Sequence, residues 1–302
     1  MEGIISVNGA ITPALEAKIG VTDRGLLFGD NIFEVFAGFG NKILDLTDHL
    51  ERLRTSAEIH GIPIPWTNEE LQFEMESLLE QTSFSKSYIR LAITRVFGFG
   101  LSTDPSMKPN KIIYCLPAKI EDESIYTKGL RLKKKKSSIN ETGKVAKTGN
   151  YIRSITALAE AKSTGYDDVL WTKANQEITE ASTSNIFLIG RDGDLVEIAT
   201  PTDRSGLLLG ITRKRIITLL TNASINVTER LISEDEIPRF DEGFLCSTVR
   251  GLVPLAEIDG HRLHSTRSAA VFHHIERLYM TWVETEVGYR VHWNTGKRIE
   301  EV

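Results

Sequence analysis

A polar, charged segment near the middle of the chain, residues 118–129, separates two stretches in which strand-like and helix-like patterns alternate. A chain of 302 residues is long enough for about two domains, at roughly 100–200 residues each. We therefore predict a small N-terminal domain over residues 1–117, a linker over residues 118–129 and a larger C-terminal domain over residues 130–302.

Two helices are predicted in the first half from apolar residues at helical spacing. The first covers residues 46–60, with Thr47 as its N-cap and Gly61 as its stop signal. The second covers residues 69–79, with Asn68 as its N-cap. In each helix the apolar residues form a stripe along one side.

A strand is predicted over residues 88–96, where the side chains alternate in character. Ile89 and Leu91 face one way, and Tyr88 and Arg90 share the opposite face. From the pattern alone, that second face is equally well a solvent-exposed surface or part of a binding site.

The composition excludes several classes of function. A net charge of −5 argues against general nucleic-acid binding. There is no apolar run long enough to span a bilayer and no N-terminal signal pattern, so no membrane partner is expected. Two cysteines, Cys115 and Cys246, do not make a disulfide framework, and a reduced, cytoplasmic setting is predicted. No CxxC pair or HExxH motif is present, so no metal is expected.

Four consecutive lysines, Lys133–Lys136, lie in a predicted strand of the second half. One interpretation is an anion-binding patch. We favour a solvated strand or sheet edge, because lysines protect exposed edges from pairing with other chains.

Residues 147–151 (KTGNY) place a lysine among small and polar neighbours, just before a predicted helix. A large flat molecule could approach the Lys147 amine closely there. Lys144, three residues earlier, is a competing candidate but lacks the Asn-Tyr sequel at that spacing. A lysine that forms a Schiff base must lose its proton readily, and burial beside another cation lowers the pKa of its amine.

Four ordered motifs resemble those of the class IV, fold-type-IV family of pyridoxal-phosphate enzymes. That family includes branched-chain and D-amino-acid aminotransferases and aminodeoxychorismate lyase. The motifs are DRGxxFGDxxFE at residues 23–34, HxxRL at residues 49–53, KxxNY at residues 147–151 and ITEASTSNIF at residues 178–187. Asn31 stands where the family usually has Gly, a mild departure because Asn tolerates left-handed backbone better than most residues.

The resemblance implies a fold class of α/β with mixed α+β character, in which a small N-terminal and a larger C-terminal α/β domain hold the cofactor in the cleft between them. It implies pyridoxal 5′-phosphate as that cofactor, held as a Schiff base by Lys147. It implies that Glu180 lies beside the pyridine nitrogen and keeps it protonated, so that the ring accepts electrons from the substrate. Tyr151 matches a tyrosine that hydrogen-bonds the ring oxygen. The implied phosphate contacts come from a guanidinium, a helix N-terminus and a hydroxyl-rich turn: Arg52, Ile211, Thr212, Ser247 and Thr248.

The resemblance also implies the reaction, which is transfer of an amino group from an amino acid to a 2-oxo acid such as 2-oxoglutarate. Lys147 would move the α-proton as general acid and base. Branched-chain or aliphatic L-amino acids are favoured, D-amino acids stay open, and a homodimer whose partner completes the pocket is expected. The implied substrate contacts are Phe33, Tyr88, Arg90, Thr248 and Val249, and Arg90 could hold a carboxylate.

Alternatives remain within and outside the family. An aminodeoxychorismate lyase often has Thr where this chain has Val35, which favours an aminotransferase. An amine transaminase is also open, because Phe28 and Val35 depart from the usual branched-chain residues. The standard D-amino-acid enzymes carry an Arg-x-His pair that residues 95–100 lack. A non-catalytic anion-binding protein built around the lysine run is the alternative from another class. Arg250 either contacts a side-chain carboxylate or faces solvent.

Overall fold

The computed structural model describes residues 2–95, 100–103, 108–137, 145–193, 195–268 and 270–299. The chain forms two compact units. Both contain strands and helices, and the mixed α/β fold class is confirmed. Unit 1 comprises Met1–Ile120, Ala146–Asn150 and Val283–Val302, and unit 2 comprises Glu121–Val145 and Tyr151–Trp282. The lysine of the KxxNY motif therefore belongs to unit 1. No helix in the described ranges is long and apolar enough to cross a membrane.

Unit 1 is built on a six-stranded sheet with the order β2-β1-β6-β5-β3-β4, in which neighbouring strands are antiparallel. Its strands are β1 (Ile4–Val7), β2 (Ala10–Pro13), β3 (Asn31–Phe39), β4 (Lys42–Ile43), β5 (Lys86–Arg95) and β6 (Pro109–Pro117). Its helices are α1 (Arg24–Phe28), α2 (Leu46–His60) and α3 (Asn68–Glu80).

One face of this sheet forms the core of unit 1. Ile89 and Leu91 of β5 pack there with Leu50 and Leu53 of α2 and with Met75 of α3, and all five are buried. The opposite face, which we name the second face, carries Phe33 and Val35 of β3, Tyr88 and Arg90 of β5, and Tyr114 of β6. The alternation predicted for β5 is thus confirmed.

The helix N-caps differ from the predicted ones. Helix α2 covers the predicted residues and ends at Gly61, whose φ is 59°, but its N-cap is Asp45 rather than Thr47. Helix α3 begins at Asn68, so Asn68 is not its cap. Thr67 is the cap, because its side chain accepts from the Glu70 N–H while the Glu70 carboxylate accepts from the Thr67 N–H.

The segment that contains Lys147 fills the uncovered edge of β3. Strand β4 pairs only with the end of β3, at Gly38 and Phe39. At the other end, the Phe33 N–H donates to the Lys147 carbonyl at 3.0 Å. The Lys147 N–H in turn donates to Ser56 Oγ of α2 at 3.1 Å. The lysine backbone is therefore fixed between a strand and a helix.

The C-terminal segment packs against the other end of the same sheet. The Trp293 ring lies 5.3 Å from the Phe39 ring, centroid to centroid. Lys86 Nζ lies 4.1 Å from the Trp293 ring centroid and donates to the Trp293 carbonyl at 2.7 Å. Gly296 (φ 69°) approaches so closely that a Cβ there would lie 2.5 Å from Lys86 Cβ. This segment is an integral part of unit 1.

Unit 2 is built on a nine-stranded mixed sheet with the order β12-β11-β10-β13-β14-β7-β8-β9, and β15 also pairs with β14. Its strands are β7 (Leu130–Lys136), β8 (Asp168–Thr172), β9 (Ile178–Ala181), β10 (Asn185–Asp192), β11 (Leu195–Pro201), β12 (Thr228–Arg230), β13 (Phe240–Ser247), β14 (Gly251–Ile258) and β15 (His261–Arg262). Its helices are α4 (Ser124–Thr127), α5 (Ile152–Ser163), α6 (Ile211–Asn222) and α7 (Val271–Val287), whose last residues belong to unit 1.

The lysine run lies in β7, which has paired neighbours on both sides, so the sheet-edge alternative is wrong and the run lies in a partly solvated strand. Strand β7 is parallel to both β14 and β8. The lysines are partly exposed and pair with acids: Lys133 with Asp259 at 2.5 Å and Lys134 with Glu234 at 3.0 Å. These counter-ions explain how a run of like charges is accommodated inside a sheet.

Candidate active site

Lys147 extends its side chain over the second face of unit 1. Its Nζ lies 4.8 Å from the centroid of the Phe33 ring, within the range of a cation–π contact. Two residues further on, Gly149 lies against Asn31, and a Cβ there would meet the Asn31 Oδ1 at 2.5 Å. Asn31 itself lies in β3, so the left-handed backbone considered for it is not adopted. Lys144, the competing candidate, lies outside the described residues.

Arg90 contacts the same aromatic ring. Its guanidinium carbon lies 3.5 Å from the Phe33 ring centroid. Within the described ranges Arg90 is half-buried, and no carboxylate pairs with it. A guanidinium that is partly removed from water without a counter-ion is suited to bind an anion. Phe33 thus has two cations within 5 Å of its centroid, one of them the motif lysine.

Arg52, the predicted phosphate ligand, is held on α2 by Glu34 of β3. Arg52 Nε donates to Glu34 Oε1 and Arg52 Nη2 donates to Glu34 Oε2, both at 2.7 Å. His49 Nδ1 lies 2.8 Å from Glu34 Oε2. Glu34 and His49 are fully buried, and the Arg52 side chain is 13% exposed. The two-point contact fixes the plane of the guanidinium.

Burial and pairing act in opposite directions on this cluster. Burial raises the pKa of Glu34, but the charge and hydrogen bonds of Arg52, with the hydrogen bond of His49, outweigh burial and lower the pKa to about 2. Burial lowers the pKa of His49, against the opposing effect of Glu34. Glu34 is therefore a carboxylate and His49 a neutral imidazole at neutral pH.

Glu180, the predicted partner of the pyridine nitrogen, lies near the end of β9 in unit 2. Asn185 Nδ2 donates to Glu180 Oε2 at 3.2 Å, and the Leu208 N–H donates to Glu180 Oε1 at 3.3 Å. Asn185 Nδ2 also donates to the Leu208 carbonyl at 2.9 Å. Each carboxylate oxygen has a donor, so the orientation of Glu180 is set by a loop and a neighbouring strand.

The loop that holds Glu180 leads into the N-terminus of α6. Gly210 is the N-cap, and Ile211 and Thr212 are the first helical residues, both buried. A Cβ at Gly210 would overlap the Asn185 Oδ1, so the close approach requires glycine. The first N–H groups of a helix have no acceptor inside it and favour anions. The predicted phosphate contacts at Ile211 and Thr212 lie at this helix end.

The hydroxyl-rich turn joins β13 to β14. Ser247 ends β13, residues 248–250 form the turn, and Gly251 begins β14 with φ 69°. Arg250 Nη1 lies 3.8 Å from Asp168 Oδ2, and the Arg250 carbonyl accepts from the Tyr126 hydroxyl at 3.2 Å. Tyr151, the predicted contact of the ring oxygen, precedes α5 as its N-cap residue.

The parts of the chain that the structure describes contain neither a metal-binding cluster nor an activated cysteine. No group of three or more His, Cys, Asp or Glu residues there could hold a metal ion. Both cysteines are buried, and burial raises the pKa of the Cys246 thiol to about 12. Cys246 is therefore a thiol at neutral pH and not an activated nucleophile.

Three supporting residues of these clusters stand in the quoted motifs, but sequence reasoning gave them no role. Glu34 and His49 fix Arg52, and Asn185 fixes Glu180. A signal for the first pair was present, because His49 and Arg52 are three residues apart on one side of α2. Asn185 follows Glu180 by five residues, a spacing that does not predict a contact between the two side chains.

Residues 31–258 match the amino-transferase class IV family, and the chain belongs to that family. It is similar to the branched-chain-amino-acid aminotransferase of Pseudomonas aeruginosa, with 28% identity over 305 residues that cover 97% of each protein. The crystal structure of Escherichia coli branched-chain amino acid aminotransferase aligns with a TM-score of 0.84 and 25% identity, covering 95% of this chain and 96% of that one.

A second solved structure bears on the cofactor. A branched-chain amino acid aminotransferase crystallised in complex with N-(5′-phosphopyridoxyl)-L-glutamate aligns with a TM-score of 0.81 and 26% identity, covering 95% of both chains. The protein is thus an enzyme of the class IV aminotransferases with the fold of the branched-chain enzymes, at modest identity to them.

Proposed function

We propose that the protein is a pyridoxal-phosphate-dependent aminotransferase. It would move an amino group between an amino acid, with branched-chain or aliphatic L-amino acids favoured, and a 2-oxo acid such as 2-oxoglutarate. The observation that carries the proposal is the pair of cations at Phe33, formed by the Lys147 amine and the Arg90 guanidinium. An amine that can react with a carbonyl carbon stands near a cation that can bind a carboxylate.

The donor set of the motif residues fits pyridoxal phosphate. Lys147 supplies an amine for the aldehyde, and Glu180 supplies an oriented carboxylate for the pyridine nitrogen. For the phosphate, the proposed groups are the Arg52 guanidinium, the backbone at Ile211 and Thr212, and the hydroxyls of Ser247 and Thr248. Tyr151 would bind the ring oxygen. When bound, the cofactor supplies an electron sink for the substrate α-carbon.

Lys147 has the geometry of a proton carrier. Its backbone is held at both the carbonyl and the N–H, which leaves the motion to the flexible side chain. Lys147 Nζ would take the proton from the substrate α-carbon as a base and return it as an acid. The buried Phe33 ring presents apolar surface to one side of the amine.

The substrate contacts divide between two kinds of group. The hydroxyl of Thr248 and the N–H of Val249 would bind the α-carboxylate, as a tight turn with exposed N–H groups can. Phe33 and Tyr88 offer aromatic surface for an aliphatic side chain. Arg90 would bind the second carboxylate of glutamate or 2-oxoglutarate when the substrate has one.

A homodimer is proposed from the exposed apolar surface of unit 1. Leu15 is 75% exposed, Val21 78% and Leu26 61%, and Leu27 and Phe28 are also exposed. These five residues lie in one stretch of the chain, residues 15–28, and clustered exposed apolar residues mark interaction sites. A second copy of this chain is the partner we propose for them.

The test is a half-reaction. The protein is purified with its cofactor, single amino acids are added without an acceptor, and loss of the yellow absorption band is followed. We expect bleaching by L-leucine and L-glutamate. In Arg90→Met, bleaching by glutamate should slow more than bleaching by leucine, while Arg290→Met, at an exposed arginine, serves as the matched control.

Other results would select the alternatives. Bleaching by D-alanine or D-glutamate would establish a D-amino-acid enzyme. A stable yellow band with no bleaching by any amino acid would favour aminodeoxychorismate lyase or an amine transaminase. A protein that forms no yellow band would contradict the proposal and leave the anion-binding interpretation.

A further inference from the structure

Tyr114 lies directly opposite Arg90 on the second face of unit 1. The register pairs Arg90 of β5 with Tyr114 of β6 on one side and with Val35 of β3 on the other. Side chains of directly opposed residues project to the same face, with Cβ atoms about 4.5–5.5 Å apart. The row therefore places Tyr114 on the same face of the sheet as Arg90, in the next strand, while the Arg90 guanidinium itself stacks on Phe33 on the other side of β5.

Within the described ranges, neither the Tyr114 hydroxyl nor the Arg90 guanidinium has a hydrogen-bond or ion-pair partner. Tyr114 and Arg90 are both half-buried. No hydrogen bond of the Tyr114 hydroxyl or of the Arg90 guanidinium is formed there, and no acid pairs with Arg90. A tyrosine hydroxyl can donate a hydrogen bond to a carboxylate that a neighbouring arginine holds. Two such donors on one face of the sheet are suited to bind the same anion.

We infer that Tyr114 is a specificity-determining residue, an inference that rests on the function proposed above. Its hydroxyl donates a hydrogen bond to the second carboxylate of dicarboxylic substrates, the one that Arg90 binds. Tyr114 thereby raises the affinity for acids of the glutamate and 2-oxoglutarate class relative to acids with apolar side chains.

The strand order indicates which carboxylate reaches Tyr114. The Lys147 segment lies at the edge of β3, and β6 is separated from β3 by β5. Two strand spacings are about 9–10 Å. Tyr114 therefore suits the far end of an elongated acid whose reacting carbon is near Lys147. The α-carboxylate, which is attached to that carbon, is assigned to Thr248 and Val249.

The experiment uses Tyr114→Phe, which removes only the hydroxyl, and Tyr289→Phe as a matched control in the C-terminal segment. The probe is glutarate, a dicarboxylate with no amino or oxo group, and its binding to the cofactor-loaded protein is measured by calorimetry. Loss of a hydrogen bond to a charged group should weaken glutarate binding about 10- to 100-fold in Tyr114→Phe. Tyr289→Phe should bind glutarate as the wild type does.

The half-reaction gives a second readout. In Tyr114→Phe the bleaching efficiency with L-glutamate should fall by a similar factor, while that with L-leucine stays within about twofold. Unchanged glutarate binding, no glutarate binding by the wild type, or an equal fall for leucine and glutamate would each overturn the inference. A wild type without a yellow band would instead overturn the proposed function, and glutarate binding to the cofactor-free wild type and Tyr114→Phe would then test Tyr114.

Discussion

The guanidinium of Arg52 and the carboxylate of Glu34 form a two-point ion pair, with both N–O distances at 2.7 Å. The pair joins helix α2 to strand β3 inside unit 1. Glu34 is fully buried, and His49 also contacts it. A buried charge that loses its partner is costly, so this contact controls both the stability of unit 1 and the position of Arg52.

Glu34→Gln should destabilise the protein by about 3–5 kcal/mol, because it leaves the largely buried Arg52 without its counter-ion. Denaturant unfolding at neutral pH measures the change. Glu160→Gln is the control, since Glu160 is 55% exposed and its ion pair with Lys135 contributes little. Equal stabilities of the two variants would contradict a role for the buried pair.

Acid should weaken unit 1 through the same cluster. The pKa of Glu34 is lowered from 4.5 to about 2, so its contribution is complete above pH 4.5 and is lost as pH falls towards 2. The loss is about 3 kcal/mol. The pKa of His49 is also lowered, from 6.5, so its contribution starts to fall below pH 6.5. Unfolding free energies measured as a function of pH should therefore converge for wild type and Glu34→Gln at low pH. Parallel curves would exclude Glu34 as the titrating group.

The C-terminal segment should stabilise unit 1. Trp293→Ala removes the ring that packs on Phe39 and Lys86. Because Trp293 is only partly buried, we expect a loss of about 2–3 kcal/mol, below the roughly 3–5 kcal/mol of a fully buried Trp. Thermal unfolding measures it, with Arg290→Ala as the exposed control. An unchanged melting temperature for Trp293→Ala would show that the segment is dispensable.

Glu180 and Asn185 should affect turnover to different degrees. Glu180→Gln removes a preorganised charge and should lower kcat about 100-fold or more. Asn185→Ala removes one donor to that carboxylate and should cost about tenfold. If Asn185 acts only by orienting Glu180, the double variant should be no slower than Glu180→Gln alone. Multiplied effects would indicate independent roles.

Local signals in the sequence predicted the helices better than their caps. Gly61 ends α2 where predicted, because a left-handed glycine terminates a helix by its own backbone. The N-cap of α3 was placed one residue late, since Thr67 and Asn68 are both good caps and only the bond to Glu70 decides between them. Strand alternation in β5 correctly separated Arg90 from the core.

Long-range pairings could not be predicted from periodicity. Nothing local to Lys147 indicates that its carbonyl accepts from Phe33, more than a hundred residues earlier. The packing of Trp293 on Phe39 is of the same kind. At the proposed site, the motifs predicted Lys147, Glu180 and Arg52. The contacts by which Glu34 holds Arg52 and Asn185 holds Glu180 form only once the strands are assembled.

The most direct test of the account is reduction of the yellow, cofactor-loaded protein with borohydride, followed by peptide mapping. Borohydride converts a lysine Schiff base into a stable secondary amine. The account predicts one modified lysine per chain, at Lys147, and no modification of that peptide in Lys147→Arg. Modification at another lysine, or a yellow protein that carries no modified lysine, would contradict it.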